Sequence, residues 1–298
     1  MEPTACAPSG ESANQPVWRR HGLEALTLQA TDGATAVVSL HGAHVVSWVP
    51  AGGSEMLYLS PRSAFAAGQA IRGGVPVIFP QFSTRGPGMR HGFARLLPWQ
   101  VVPQVAHHDG QATAVLRLAD SASTRPAWNH GFALELTVTV RSNQLALRLA
   151  CCNAGSDAFG FSAALHTYLR TDDIGRTVLH GLAGHPFWDA LDDSRKMQPA
   201  GALRFDGELD RVYGGVAGAL TVQAPFGAGM RQVTICQSGF EDVVVWNPGA
   251  VKCAALADMP PDGWRGMLCV EAARIERPVL LDPGQSWVGE QTLVADPG

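Results

Sequence analysis

The chain alternates. From Val17 onward it runs in short stretches with a two-residue apolar period or β-branched enrichment, each closed by Gly, Pro, Asn or Asp. Residues 23–28, 35–49, 112–118, 132–140, 144–151, 160–169, 220–223, 231–237, 242–246 and 267–272 read this way. A period of two sends successive side chains to opposite faces of a strand, which a helix cannot satisfy. No stretch holds a helical stripe for three turns, and 33 glycines with 20 prolines suit tight connections and penalise helix interiors. Ten or more strands exceed what one open twisted sheet carries, so two packed sheets are the economical solution. The expected fold is all-β, a large antiparallel β-sandwich.

With 298 residues, 46% of them hydrophobic and 16% charged, the chain can bury a large core. No repeat, low-complexity linker or composition step divides residues 17–296, which are expected to form one domain. Residues 1–16, rich in Pro, Ser, Gly and Ala, read as a loose tail. Residues 60–99 are dense in Gly, Pro and Arg and read as long loops of the kind that carry function.

A net charge of −4 gives no basic stripe for a nucleic-acid backbone, so nucleic acid is not an expected partner. Cys6, Cys151, Cys152, Cys236, Cys253 and Cys269 form no CxxC pair and read as reduced, mostly buried thiols. No segment has the basic start and apolar run of a secretory signal, and none is apolar long enough to span a bilayer. The expectation is a cytoplasmic protein without a membrane partner.

Four groups of residues could carry chemistry. The first is RGGVPVIFPQF, holding Arg72 and Gln81, followed after a polar loop by HGFAR, holding His91 and Arg95. Two guanidinium forks from neighbouring loops could clamp a phosphate, with Gly73 and Gly74 letting backbone approach a ligand. Ordinary surface or ion-paired arginines are the competing reading. The second is ALHTYL, where alternation puts Ala164, His166 and Tyr168 on one face. Imidazole titrates near neutrality, as a general acid requires, although a lone strand histidine is more often structural. The third is MLCVEA, whose only charge is Glu271; a carboxylate in such company is either paired with an arginine or functional. In the fourth, ELDRVY, Asp210 could accept from sugar hydroxyls or simply pair with Arg211 in a turn.

Taken in order, RGGVPVIFPQF, HGFAR, ALHTYL, ELDRVY, VVVWNP and MLCVEA resemble the hexose-6-phosphate mutarotases of the aldose 1-epimerase superfamily, over residues from about Val17 to near the C-terminus. The resemblance implies a galactose mutarotase-like sandwich that exchanges the α and β anomers of a hexose 6-phosphate. It makes His166 and Glu271 the catalytic acid and base and sets Arg72 and Arg95 on the phosphate. Asp210 then binds the sugar, His91 lies beside the ring, and Gln81 joins the substrate-binding set. The chain departs from the pattern at Arg90, where some relatives carry Gln; a third positive charge near the phosphate and a solvated loop arginine are the two readings. A monomer acting on a small sugar phosphate, with no metal and no cofactor, is the expectation. Three rivals remain open: a non-catalytic sugar-binding module, an epimerase of unphosphorylated hexoses, and a metal enzyme using His91, His166 and Glu271.

Overall fold

A computed structural model describes residues 22–103 and 109–296; the tail expected at 1–16 lies outside the described residues. Two large antiparallel sheets dominate. The nine-stranded sheet runs in the order Leu203–Arg204, Val178–His180, Leu220–Phe226, Gly229–Ser238, Ser286–Ala295, Gln144–Asn153, Phe132–Arg141, Ala112–Ala119 and Gln100–Val102. The eight-stranded sheet runs Ser194–Met197, Pro186–Asp189, Leu209–Tyr213, Asp242–Asn247, Met267–Leu281, Phe159–Leu165 and Val77–Ile78, with Tyr168–Arg170 also paired to Met267–Leu281. Ala25–Gln29, Thr35–Ser39 and His44–Val49 form a third, smaller sheet.

Alternation builds the core. In the hairpin of Phe132–Arg141 and Gln144–Asn153, every second residue is buried, from Phe132, Leu134 and Leu136 on one strand to Leu145, Leu147 and Leu149 on the other. These side chains meet Val243, Val245, Leu268, Val270 and Ala272 of the eight-stranded sheet in one apolar cluster. Burying a side chain of this size is worth roughly 1.5–3 kcal/mol, so this repeated alternation is what drives the two sheets together.

The central strands of the eight-stranded sheet are buried on both faces, as Met267–Leu281 shows through its first seven residues. Their second face carries Ala164, Val212, Val244 and Ala273 in one patch and Tyr168, Met267 and Cys269 in another. Long connections cover that face. Residues 60–99, expected as loops, hold only the two-residue strand Val77–Ile78 and a 3-10 turn at Ala94–Leu96.

Three local differences from the sequence pattern have physical causes. The run 35–49 is two strands, reversed through a turn in which Gly42 and Ala43 have positive φ. The run 160–169 breaks after Leu165, where the His166 N–H bonds Pro76 O at 3.0 Å instead of continuing the ladder. The run 267–272 continues to Leu281 past a register shift between Arg274 and Val279, and the Asp242 carboxylate accepts the Ile275 and Glu276 N–H groups there. The helix Gly249–Ala255 is too short for a periodic stripe.

Candidate active site

Register brings the two central candidates together. Met267–Leu281 pairs with its neighbour so that Ala273 faces Ala164 and Ala272 faces Leu165, while Cys269 faces Tyr168. That offset puts Glu271 opposite His166. The His166 Nε2 lies 3.2 Å from Glu271 Oε1, with the carboxylate side chain 1% exposed and the imidazole side chain 10% exposed. His166 stacks on Tyr168 at 4.8 Å, so Ala164, His166 and Tyr168 do share a face. Glu271 Oε2 and His166 Nδ1 are buried without a hydrogen-bond partner.

Burial sets the proton inventory of this pair. Desolvation holds the His166 imidazole well below its ordinary range, helped by His91, Arg72 and Arg95. It pushes the Glu271 carboxyl well up, with Asp210 adding to the effect. Burial thus disfavours the charged form of each group, and a charged pair with it.

Beside the pair lies a cavity lined by Arg72, Arg90, His91, Arg95, His166, Lys252 and neighbouring residues. Arg72 is ion-paired after all: its Nε donates to Asp258 Oδ2 at 3.0 Å, its NH1 donates to the Tyr168 hydroxyl at 3.1 Å, and its head sits over Trp246. Burial disfavours its charge, but Tyr168 and Asp258 more than offset this and hold its pKa up. Arg95 is different. Its NH2 donates to Arg90 O, its Nε is buried without a partner, and burial next to Arg72 and Arg90 lowers its pKa to about 10. A guanidinium lacking a carboxylate and crowded by two others marks a place for an anion.

The glycines of the arginine loop serve the fold. A Cβ on Gly73 would meet Tyr58 O at 2.4 Å, and one on Gly74 would meet Val45 O at 2.2 Å, so both are needed for close approach to neighbouring backbone. His44, wholly buried, fixes this loop by donating from Nε2 to Gly73 O at 2.7 Å. Gly92 plays the same part for the other loop, since a Cβ there would lie 2.0 Å from Phe79 O. His91 packs edge-on against Phe82 and His166, and its Nδ1 accepts the Ser83 N–H, which leaves the ring hydrogen on Nε2. Burial, then Arg95, Arg90 and Arg72, lower its pKa to about 3.

Two sequence candidates sit apart from the cavity wall. Gln81 spends its amide on its own loop, donating to Ser83 O and Gly88 O and accepting the Gly88 N–H. It lines a separate apolar pocket with Trp128 and Phe161. Asp210 is in the strand Leu209–Tyr213 rather than a turn, directly opposite Trp246 on the neighbouring strand, while Arg211 turns away toward Asp189 and Gln198. Burial raises the Asp210 pKa, while Lys252 and Arg90 act to lower it. Sequence reasoning missed Asp258 and Lys252. Neither carries a pattern signal, because their places depend on how residues 248–266 fold back over the sheet.

Residues 24–293 match the aldose 1-epimerase family, and the chain belongs to it. A protein of Cenchrus ciliaris, provisionally named glucose-6-phosphate 1-epimerase, is 32% identical over 284 residues, covering 93% of this chain and 86% of its own length. An Escherichia coli K12 protein of the same provisional name is 34% identical over 269 residues, covering 87% and 86%. The crystal structure of a provisionally named mutarotase from Salmonella typhimurium superposes with a TM-score of 0.81 at 29% identity, covering 89% of this chain and 88% of that one. A galactose mutarotase related enzyme from Lactobacillus acidophilus, 15% identical, shares the fold with a TM-score of 0.71.

Neutral His44 gives a pH test. Burial lowers its folded pKa to about 3, against ~6.5 when unfolded. The unfolded chain therefore binds the extra proton first, and stability is lost as pH falls from ~6.5 toward 3. His44→Gln should be less destabilised than wild type by acid, with the gap between them shrinking by about 2 kcal/mol between pH 7 and pH 5. Urea unfolding at the two pH values measures this; parallel pH profiles would contradict a neutral buried imidazole.

Proposed function

We propose that this protein interconverts the α and β anomers of a hexose 6-phosphate, with glucose 6-phosphate the first substrate to test. One observation carries the reading: a buried His166–Glu271 contact sits beside a cavity where Arg72, Arg90 and Arg95 converge. The provisional names of the relatives point to the same substrate class.

Anomer exchange requires that a proton leave the C1 hydroxyl and that one reach the ring oxygen O5. In this reading Glu271 as carboxylate takes the C1 proton while protonated His166 gives its proton to O5. The C1–O5 bond breaks as the C1 carbonyl forms. Rotation about C1–C2 and reclosure with the roles reversed deliver the other anomer. A pair holding one proton is suited to this, since no net proton is gained or lost. Binding a phosphate dianion would offset the arginine field that disfavours imidazolium at His166, favouring the acid form only when substrate is present. Each positioned transfer is worth roughly 10²–10⁴ in rate.

Arg72 and Arg95 would hold the phosphate, which is remote from the bond that breaks. Its binding energy then orients C1 and O5 against the pair. Asp210 would accept from a ring hydroxyl. His91 would donate from Nε2 beside the ring. The same reading makes the protein a monomer in the cytoplasm; the five described cysteines are all free thiols, and among the described residues no helix is long and apolar enough to cross a membrane.

Glu271→Gln keeps the shape of the carboxyl and removes its basicity. The turnover for α-glucose 6-phosphate, followed by exchange NMR, should fall by about 10²–10⁴ while calorimetric binding survives. A near-wild-type rate would sink the assignment. Arg90→Ala should raise KM for the sugar phosphate roughly fivefold, as losing about 1 kcal/mol implies, with little change for unphosphorylated glucose; an unchanged KM leaves Arg90 a solvated loop residue.

A further inference from the structure

Cys269 lies close to the pair and has no part in the proposed proton transfer. It lies two residues before Glu271 on the same strand face, fully buried, opposite Tyr168. Among the described residues, His166, Cys269 and Glu271 form a group whose ligand atoms all lie within 4.8 Å of one another. His91, the partner that sequence reasoning offered for a metal, does not belong to it. Glu271 Oε2 and His166 Nδ1 have no protein partner, although both atoms are buried.

We propose that His166, Cys269 and Glu271 bind a zinc-class divalent cation, and that its binding inhibits the enzyme by occupying the acid and base. An imidazole nitrogen, a thiolate and a carboxylate are three of the four ligands that tetrahedral zinc takes, and the cavity that His166 lines is the route by which a cation and a fourth, water ligand would enter. Bond lengths of about 2.0–2.3 Å require the donors to close by roughly 1 Å, within the reach of side-chain rotation. The reaction balances. The cation enters, and the Cys269 thiol and the Glu271 carboxyl, whose protonated forms burial favours, each lose a proton. Metal–sulfur, metal–nitrogen and metal–oxygen bonds form, and two protons depart for two positive charges gained. The buried cluster stays neutral, which a low-dielectric site demands.

The surroundings also select among cations. Arg72 and Arg95 act on His166 and repel any cation at the mouth. Magnesium and calcium gain nothing from thiolate or imidazole to overcome this, whereas zinc, cadmium and cobalt do. Because the sugar would reach the pair through the same cavity, cation and hexose phosphate should exclude one another.

The inhibitory part of this proposal rests on the mutarotase reading, but the binding part does not, so the test separates them. Metal-free protein is titrated with cobalt(II), watching for a thiolate-to-metal charge-transfer band, and with zinc by calorimetry. Wild type should bind one ion, and Cys269→Ala should lose the band and at least about tenfold of zinc affinity. Zinc should inhibit anomer exchange in wild type and much less in Cys269→Ala, while magnesium does neither. Should the alanine variant fail to fold, Cys269→Ser supplies the same comparison, and glucose 6-phosphate should displace cobalt from wild type. Zinc affinity unchanged by loss of the thiol, or no stoichiometric binding, overturns the site. Binding as described in a protein without anomerase activity leaves the site standing and refutes the mutarotase reading instead.

Discussion

Everything at this site depends on burying an ionisable pair where neither member can easily be charged alone. Glu271 meets His166 at 3.2 Å with the Cys269 thiol close by, and His166 is walled by Tyr168 and Trp246. Desolvation disfavours the charged form of each, so under the proposed function the pair would trade one proton with the substrate rather than gain or lose one. The protein can hold this arrangement because Glu271 sits at the centre of a sheet whose other face is packed with Val270, Ala272 and their neighbours. A rigid backbone on one side fixes the geometry on the other.

The cavity beside the pair is built by loops that would not stay in place unaided. Gly73, Gly74 and Gly92 press their backbones against neighbouring backbone at distances no side chain would allow, and His44 ties the arginine loop through Gly73 O. Three arginines are thereby held near one another, with one carboxylate, Asp258, spent on Arg72. The positive field that remains acts against charge on His166, and under the proposed function it would also attract the substrate phosphate.

Much of this was legible in the sequence. Period-two alternation in 132–140 and 144–151 revealed strands, and the same alternation placed Ala164, His166 and Tyr168 on one face. Glu271 stood out because a lone charge in an apolar strand needs a reason. What the sequence could not show was register: nothing local says that residue 166 faces residue 271, since that pairing is set by contacts a hundred residues apart. Gln81 illustrates the opposite failure. It sits in a motif-rich loop, yet its amide is wholly engaged by Ser83 and Gly88, a turn geometry that residue type alone does not disclose. Lys252 and Asp258 reach the cavity only because a short helix and its trailing loop fold back across the sheet.

The most direct test of the account is a crystal structure of the protein with glucose 6-phosphate bound. The phosphate should lie between Arg72 and Arg95, with the C1 hydroxyl and O5 within ~3 Å of Glu271 and His166 respectively. A phosphate seated elsewhere, or a sugar ring whose C1 does not reach the pair, would contradict it.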